Sequence, residues 1–139
     1  MAQNIRSVMN TNPVTLPAQA SVAEAASAMR AANIGDVIVL DNGRIRGILT
    51  DRDIVIRAVA EGRDLVSTKV ADICSQELET LSPTDSIEDA VRLMRDKAIR
   101  RLPVIEGDKP VGIVSIGDLA VSQDPRSALG HISSAPPNR

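Results

Sequence analysis

The sequence predicts a mixed α/β (α+β) fold built from two copies of one β-α-β-β-α unit, on three observations. The first is an internal repeat, in which Asn4–Ile54 aligns without a gap on Lys69–Leu119. The second is a run of apolar residues at helical spacing in the first half of each copy. The third is a pair of short aliphatic runs around a turn in the second half. Because one interval relates all these features, we expect two pseudo-symmetric repeats that pack through their sheets.

The interval between the copies is constant at 65 residues, and it preserves polar as well as apolar positions. Chance does not keep a register through so many positions of both kinds, so we interpret the chain as a duplication. The matching pairs include Ile5 with Val70, Thr15 with Thr80, Ala25 with Ala90, Met29 with Met94, Ile34 with Ile99, Gly47 with Gly112, and Asp53 with Asp118.

Each copy starts with a short leading segment and an extended run, and an amphipathic helix follows. In repeat 1 the helix is predicted to begin at Ser21, because Glu24 three residues later gives the pattern of a capping box. Asn33 is a typical stop for that helix. Ser86 and Asp89 give a weaker version of the same start in repeat 2.

A β-hairpin is predicted after each of these helices. Asn42-Gly43 is a strong signal for a short turn, and Gly107-Asp108 is expected to turn the second hairpin. Pro110 lacks a backbone donor and should therefore lie at an edge or at a strand start. The predicted strands are Val37–Leu40 and Ile45–Leu49 in repeat 1, and Leu102–Ile105 and Val111–Val114 in repeat 2.

A second helix closes each copy. It is predicted at about Asp51–Glu61, ending at Gly62, in repeat 1. In repeat 2 it is predicted at about Ile116–Gln123, stopping before Pro125. We therefore divide the chain into repeat 1 (residues 1–62), a linker (63–69), repeat 2 (70–123) and a C-terminal short helix with a frayed tail (124–139).

Composition argues against several classes of function. The formal net charge is −2, so no general attraction to nucleic acid or anionic membrane is expected. The chain has no Phe, Trp or Tyr, which argues against modules that stack bases on aromatic rings. One cysteine, Cys74, and one histidine, His131, cannot build a His/Cys zinc cluster within one chain. We expect a cytoplasmic protein, because there is no spanning run, no signal-peptide pattern and a single cysteine.

The candidate site lies where the last hairpin strand of each copy meets the helix that follows. Gly47–Ile54 reads Gly-Ile-Leu-Thr-Asp-Arg-Asp-Ile, and Gly112–Leu119 reads Gly-Ile-Val-Ser-Ile-Gly-Asp-Leu. Each stretch delivers a hydroxyl and a carboxylate to the start of a helix, where backbone N–H groups point outward. The same spacing is also that of a helix capping box. The residues alone leave both interpretations open, a structural cap and a ligand site.

These features together resemble a tandem pair of CBS domains, also called a Bateman module, and most of all the small stand-alone pairs of actinobacteria. The resemblance covers about residues 4–120 and is carried by both copies. Its motifs are Thr15-Leu16-Pro17 and Thr80-Leu81-Ser82, Ile34–Val39 and Ile99–Val104, and the Gly-aliphatic-aliphatic-Thr/Ser-x-x-Asp endings.

The resemblance implies a regulatory module with two clefts for adenosyl ligands such as AMP, ADP, ATP or S-adenosylmethionine. It implies that Asp53 and Asp118 hold the ribose hydroxyls, with Thr50 or Ser115 beside the ribose or phosphate. It also implies a homodimer formed through the helices. The residues implied to line the adenine slots are Ile38, Val39, Pro103 and Val104, with Thr15 and Thr80 at the opposite lip.

The residue chemistry fits such a ligand. A carboxylate suits a vicinal diol because it accepts two hydrogen bonds at once. A helix start with Arg52 nearby suits an oxyanion. Arginines of this kind are typically solvated surface charges, and Arg101, beside Pro103-Val104, is our candidate among them for a phosphate ligand. Without aromatic rings the adenine contacts only aliphatic side chains, so we expect micromolar affinity at best.

No enzyme motif is present in the sequence: there is no P-loop, no dinucleotide fingerprint and no paired nucleophile and base. We therefore expect a protein without catalysis, required cofactor or metal, which senses adenosyl ligands as a homodimer and signals to a separate effector protein. The alternative is a ligand-free structural or protein-interaction dimer. A third interpretation is the regulatory piece of an enzyme subunit that acts on one fixed partner.

Overall fold

The computed structural model describes residues 4–75, 79–123, 129–130 and 132, and it divides the chain into two compact units. The first unit is Pro13–Leu78, and the second unit combines the residues up to Asn12 with those from Glu79 on. The start of repeat 1, up to Asn12, therefore belongs to the unit that contains most of repeat 2. The start of repeat 2, up to Leu78, belongs to the unit that contains most of repeat 1. The boundaries predicted from the sequence describe the repeats, while the compact units follow the packing of the chain.

The first unit contains a three-stranded sheet in the order β1-β2-β3. β1 pairs parallel with β2, and β2 pairs antiparallel with β3. Its elements are β1 (Thr15–Pro17), α1 (Val22–Ala32), β2 (Asp36–Asp41), β3 (Arg44–Thr50), α2 (Asp51–Asp53), a π-helical segment (Ile54–Val59) and α3 (Val70–Ile73).

The second unit repeats this plan with a smaller sheet. β4 and β5 form an antiparallel pair, and the counterpart of β1 is reduced to a single parallel bridge between Leu81 and Val104. Its elements are a 3₁₀ turn (Ile5–Ser7), α4 (Ile87–Lys97), β4 (Arg101–Glu106), β5 (Lys109–Ser115) and α5 (Ile116–Gln123).

The helix limits predicted for α1 are confirmed, and α4 has the same kind of start. The Ser21 hydroxyl accepts a hydrogen bond from the Glu24 N–H at 3.1 Å, and Ser86 accepts from the Asp89 N–H at 3.0 Å. Asn33 ends α1 in the left-handed conformation, with φ 58°. The equivalent residue after α4 is Ala98, also left-handed with φ 54°, although alanine has no side-chain polar group to favour that conformation.

Both predicted hairpins are confirmed. Asn42 and Gly43 have positive φ values of 53° and 81°, as a two-residue primed turn requires. Gly107 takes a φ of 65° in the second turn. Pro110 is the second residue of β5 and pairs with Ile105 beside a shift in register, so it lies near a strand start as expected.

The helix predicted at Asp51–Glu61 differs from the prediction. Only Asp51–Asp53 is α-helical, and Ile54–Val59 forms a π-helix in which the Ala60 N–H donates to the Val55 carbonyl at 2.8 Å. The spacing of apolar residues does not distinguish an α-helix from a short π-helix. A π-helix has a wider turn, but over so few residues it still buries one face. In repeat 2 the predicted Ile116–Gln123 is confirmed as α5.

The predicted tail helix falls mostly outside the described residues. Within them, Leu129, Gly130 and Ile132 are helical.

Each unit has its own aliphatic core, and Met29 and Met94 occupy equivalent places in the two. None of the helices described is both long and apolar enough to cross a bilayer.

The leading segments pack against the strands that carry the candidate site. Ser75 donates its N–H to the Ile48 carbonyl at 3.0 Å, and Asn10 exchanges backbone hydrogen bonds of 2.9 and 3.0 Å with Ile113. The adjacent glycines permit this close approach. A Cβ on Gly47 would collide with the Ser75 carbonyl oxygen, and one on Gly112 would lie 2.8 Å from the Asn10 oxygen.

Candidate functional site

The hydroxyl and carboxylate of each strand-to-helix junction bind each other's backbone. At the first junction the Thr50 N–H donates to Asp53 Oδ2 at 2.9 Å, and the Asp53 N–H donates to Thr50 Oγ1 at 3.1 Å. At the second junction the corresponding distances are 2.8 Å for Ser115 N–H to Asp118 Oδ2 and 3.1 Å for Asp118 N–H to Ser115 Oγ. Both junctions are therefore reciprocal capping boxes. The ligand interpretation survives beside the cap, because an ionised carboxylate offers about four acceptor positions.

The second oxygen of Asp53 faces a cation. Asp53 Oδ1 lies 3.8 Å from Arg57 Nε, and the Asp53 side chain is only 16% exposed while that of Arg57 is 53% exposed. The sequence analysis missed Arg57, although an aspartate followed four residues later by an arginine on a helix is a recognisable signal. An exposed arginine at this distance makes a weak pair, so the Asp53 oxygen remains exchangeable with a ligand.

The sheet of the first unit places Thr15, Ile38 and Thr50 on one face. Thr15 pairs with Ile38, Ile38 pairs with Ile48, and Thr50 lies two residues beyond Ile48 on β3. Side chains alternate along a strand, so paired residues and those two apart share a face. Val39 points to the opposite face and packs in the core of the unit. Any contact that Val39 makes with a ligand on the Thr15 face must therefore use its backbone.

The second unit shows the same division. Pro103 pairs with Ile113, and Arg101 pairs with Ser115, so these residues share one face of the β4–β5 pair. Val104 belongs to the core on the other face. The Leu81 N–H donates to the Pro103 carbonyl at 3.0 Å, which places the adjacent Thr80 beside the same strand. The structure thus groups Arg101, Pro103 and Ser115 and separates Val104 from them.

The first turn of α2 leaves fewer free donors than the sequence led us to expect. The Asp51 N–H donates to the Gly35 carbonyl at 2.9 Å, and the Arg52 N–H donates to Asp51 Oδ1 at 2.8 Å. The Asp53 N–H is held by Thr50. Because the N–H groups of residues 51–53 are all engaged, the outward backbone donors expected for an oxyanion are absent from this turn.

The start of α5 differs from that of α2 at the two positions that follow the hydroxyl residue. The Ile116 N–H donates to the Arg100 carbonyl at 2.9 Å, as Asp51 does to Gly35. However, Ile116 and Gly117 stand where repeat 1 has Asp51 and Arg52, so the second junction lacks both that carboxylate and that guanidinium. The second junction also has Arg101 paired with its hydroxyl residue. Because Arg101 stands where repeat 1 has Asp36 opposite Thr50, the second junction is the less negative of the two.

Cys74 is a buried thiol next to the first junction. It is 2% exposed, and its Sγ lies 3.8 Å from the Ala71 carbonyl oxygen. Burial raises the pKa of the Cys74 thiol, and the nearby Arg46 guanidinium opposes that rise only in part. The thiol is therefore a packing group at neutral pH. In the described part of the chain, no cluster of three or more His, Cys, Asp or Glu side chains could hold a metal ion.

A groove that the sequence analysis did not predict lies between α4 and α5. Its volume is about 530 Å³. No motif signals such a groove, because it results from the relative size of side chains on two helices. The residues that line it are Val91, Met94, Arg95, Ala98, Ile99, Arg100, Ile116, Leu119, Ala120, Gln123 and Leu129.

Comparison with known proteins supports the resemblance seen in the sequence. The sequence profile of the CBS domain matches residues 5–59 and again residues 70–122. The CBS domain-containing protein YhcV of Bacillus subtilis (strain 168) is 41% identical over 127 residues, covering 91% of this chain and 90% of that protein. Hypoxic response protein 1 of Mycobacterium tuberculosis (strain CDC 1551 / Oshkosh) is 32% identical over 116 residues, covering 83% of this chain and 81% of that protein.

Solved structures show the same fold. Hypoxic Response Protein I, solved with two coordinated zinc ions, has a TM-score of 0.78 and 30% identity, covering 85% of this chain and 97% of that chain. The CBS domain pair of protein MJ0100, solved in complex with 5-methylthioadenosine and S-adenosyl-L-methionine, has a TM-score of 0.81 at 22% identity. It covers 91% of this chain and all of the other, and at this identity the likeness shows the fold alone.

Proposed function

Since the chain belongs to the CBS-domain family and contains that domain twice, we propose that it is a non-catalytic regulatory protein that binds adenosyl ligands. It passes a ligand-dependent change in shape to a separate effector protein. The ligand class is AMP, ADP, ATP or S-adenosylmethionine, none of them a required cofactor. The protein works in the cytoplasm as a homodimer.

The observation that carries the proposal is the pair of fixed carboxylates. In each junction a backbone N–H holds Oδ2 of the aspartate, at 2.9 Å for Asp53 and 2.8 Å for Asp118. A carboxylate held in this way is already oriented, so little conformational entropy is lost when it accepts hydrogen bonds from a ribose diol. Two such carboxylates support two related sites, one for each repeat.

The neighbouring face of each sheet supports an adenosine rather than a smaller ligand. Thr15, Ile38 and Thr50 share a face in the first unit, and Pro103 and Ser115 share the corresponding face in the second. Each face combines a hydroxyl for a sugar with an aliphatic residue for a base, and because Ile38 and Pro103 are both buried, a base must open the face to reach their side chains. The MJ0100 pair, which has the same fold, is in complex with two adenosyl compounds, so this fold accommodates them.

A second candidate function is a ligand-free interaction dimer. The observation that favours it is a set of large exposed aliphatic residues on the π-helical segment and on α4 and α5, namely Val55, Ile56, Val59, Val91 and Ile116. Each unit thus has exposed apolar surface of its own, and such surface is typical of a protein interface. The two candidates differ in whether adenosyl compounds stabilise the folded protein.

Thermal unfolding followed by far-ultraviolet circular dichroism tests this difference. A ligand present at about one hundred times its Kd stabilises the native state by about 2.7 kcal/mol, which raises the Tm of a chain of this size by roughly 5–10 °C. We expect such a rise with at least one of AMP, ADP, ATP and S-adenosylmethionine at millimolar concentration. If none of the four raises the Tm, adenosyl sensing is refuted and the interaction dimer replaces it.

Two matched controls make the test specific. 2′-Deoxyadenosine monophosphate lacks one hydroxyl of the diol, so it should raise the Tm less than AMP does. GMP changes the base and keeps the ribose and phosphate. In addition, the absence of Trp and Tyr leaves little absorbance of the protein itself near the adenine maximum, so nucleotide that copurifies with it would be visible directly.

A further inference from the structure

Arg57 connects the carboxylate of the first junction to a distant part of the chain. Its Nε lies 3.8 Å from Asp53 Oδ1, and its Nη1 donates a long hydrogen bond of 3.4 Å to the Ile73 carbonyl. Ile73 is the last residue of α3. A guanidinium can bridge two such acceptors because its donors lie on separate nitrogens of one rigid plane. The junction and the end of α3 therefore share one side chain.

The end of α3 is the part of the first unit that leads into the second. Cys74 follows α3 directly, and the second unit resumes at Glu79. The last carbonyls of a helix have no partner within the helix, so a basic side chain can hold them. The bond from Arg57 to the Ile73 carbonyl thus ties the junction to the segment that joins the two units.

The Asp53 carboxylate has little capacity for both Arg57 and a ribose diol. Its Oδ2 already accepts from the Thr50 N–H at 2.9 Å, and its Oδ1 faces Arg57. A diol donates two hydrogen bonds to a carboxylate. Because the Asp53 side chain is only 16% exposed, there is little room for a second donor beside the guanidinium. A ligand that binds Asp53 through its ribose must therefore displace Arg57 from Oδ1.

The second junction has a different residue at this position. At the same interval of 65 residues, Ser122 stands where repeat 1 has Arg57, so repeat 2 has no cation there. The helical segments differ as well, since Arg57 lies in the π-helical Ile54–Val59 and Ser122 lies in the α-helical α5. Short π-helical turns occur frequently at functional sites. The two repeats thus share the aspartate and differ in the side chain that reaches from it.

We propose that Arg57 is a positioning residue that couples ligand binding at Asp53 to the end of α3. In the structure it holds Asp53 Oδ1 and the Ile73 carbonyl together. When a ribose diol takes Oδ1, the guanidinium loses one of its two acceptors and its hold on α3 weakens. The coupling is reciprocal, so loosening of α3 favours the ligand in turn. This rests on the adenosyl binding of the proposed function and adds how the first junction signals.

Calorimetric titration with adenosine tests the competition for Asp53. Adenosine has the diol and no phosphate, so attraction between Arg57 and an anion does not contribute. All proteins carry Asp118→Asn, which weakens the second junction, and the protein with that change alone is the parent. Arg57→Ser introduces the residue of repeat 2. It should bind adenosine about two- to fivefold more tightly than the parent, because a half-exposed ion pair no longer competes.

Arg63→Ser is the matched control for this titration. Arg63 is exposed and follows the same helical segment. The substitution removes the same charge at a position away from the Asp53 carboxylate, so adenosine should bind it as it binds the parent. Circular dichroism melting verifies that each variant is folded.

The single cysteine reports on the end of α3. Cys74 is 2% exposed, so a chromogenic aromatic disulfide reaches its thiol only when this segment opens. Saturating adenosine should accelerate the labelling of the parent about two- to fivefold, because one weak contact that holds α3 is lost. In the Arg57→Ser variant adenosine should slow the labelling or leave it unchanged, since a ligand otherwise only stabilises the folded state. The measurement on the parent needs no substitution at Arg57.

The opposite results overturn the proposal. If Arg57→Ser binds adenosine no more tightly than the parent, Arg57 does not compete for Asp53. If adenosine slows the labelling of Cys74 in the parent or leaves it unchanged, the ligand does not loosen α3. Adenosine binds in both of these cases, so adenosyl sensing still stands. If AMP binds and adenosine does not, the diol alone does not displace Arg57 and the coupling fails. If neither adenosine nor any of the four adenosyl ligands binds, the proposed function fails together with the coupling.

Discussion

At residues 50–53 and again at residues 115–118, a hydroxyl side chain and an aspartate close the same pair of hydrogen bonds around the first turn of a helix. The surroundings of these two junctions differ. The first has an additional carboxylate, Asp51, and its Arg52 N–H is already bound. The second has Ile116 and Gly117 at the two positions after its hydroxyl residue, and that hydroxyl residue pairs with Arg101 where Thr50 pairs with Asp36.

The two copies thus share the part of the junction that the fold needs and differ in the charge around it. The cap is common to both because an uncapped helix start leaves backbone donors unsatisfied. Charge is not constrained by the fold in the same way. On the proposed function we therefore expect a phosphate-bearing ligand to bind more tightly at the second junction, and a neutral or cationic adenosyl compound at the first.

The largest expected effect comes from the glycine that precedes each junction. Gly47→Ala places a Cβ against the Ser75 backbone oxygen, so we expect a loss of about 2–3 kcal/mol in the free energy of unfolding. Gly112→Ala should cost less, about 1–2 kcal/mol, because its Cβ would lie 2.7 Å from the flexible Met9 sulfur and 2.8 Å from the Asn10 backbone oxygen, a milder overlap than that of Gly47 with the Ser75 oxygen.

Denaturant unfolding followed by circular dichroism measures both losses. Gly43→Ala is the control, since no atom lies within 4 Å of its Cβ and only its φ of 81° opposes the change. Its expected cost is about 1 kcal/mol. Equal stability of the Gly47→Ala and Gly43→Ala variants would show that the leading segment does not pack on β3 as the structure has it.

The charge difference between the junctions is tested by removing one arginine at a time. Arg101→Ala should weaken AMP binding by roughly 10- to 100-fold, because a charge-assisted hydrogen bond contributes about 1.5–3 kcal/mol. Arg52→Ala should change AMP binding by less than about threefold, since its side chain is exposed in solvent. Calorimetric titration with AMP and with adenosine separates the phosphate contact from the rest. If the two substitutions weaken AMP binding equally, the proposed difference in phosphate binding between the two junctions is contradicted.

The double role of the junction aspartates is tested by Asp53→Asn and Asp118→Asn. Asparagine keeps an oxygen for the Thr50 or Ser115 N–H, so the free energy of unfolding should change by less than about 0.5 kcal/mol. Each variant should bind its adenosyl ligand about tenfold more weakly, because an amide is a poorer acceptor for a diol than a carboxylate.

The alanine variants serve as the comparison, since they remove the cap as well and should lose about 1 kcal/mol of stability. Titration and unfolding are measured on the same preparations. Unchanged affinity in both asparagine variants would leave these aspartates with the structural role alone.

The smallest effect concerns the ends of α1 and α4. Ala98→Gly should stabilise the protein by about 0.5–1 kcal/mol, because the left-handed φ of 54° is strained for alanine and free for glycine. Asn33→Gly at the equivalent position should change stability by only a few tenths of a kcal/mol, since asparagine tolerates this conformation. Urea midpoints compare the two. A destabilised Ala98→Gly variant would contradict the observed left-handed cap.

Local rules were sufficient to predict much of the fold. A helix start is capped by Ser21, the same helix ends at Asn33, and a tight turn forms at Asn42-Gly43. Each effect depends only on residues close together in the chain, so it can be predicted from the sequence alone. The π-helical segment was not predictable, because Ile54, Ala58 and the residues between them have the same apolar pattern as an ordinary α-helix.

The candidate site was predictable in part for the same reason. The Thr50–Asp53 and Ser115–Asp118 pairs follow from spacing within one turn of chain. The inward direction of Val39 and Val104 depends on the strand register and on which sheet face packs in the core, which a short motif does not contain. Likewise, the acceptors of the Asp51 and Ile116 N–H groups are carbonyls of Gly35 and Arg100, distant in sequence.

Isothermal titration calorimetry of the wild-type protein with AMP, ADP, ATP and S-adenosylmethionine tests the central claim most directly. The claim is that capped aspartates in two CBS repeats hold the ribose of an adenosyl ligand. It predicts saturable heat with at least one of the four ligands, at a micromolar Kd, and one or two ligands bound per chain. If none of the four binds with a Kd below the millimolar range, the sensing function is contradicted.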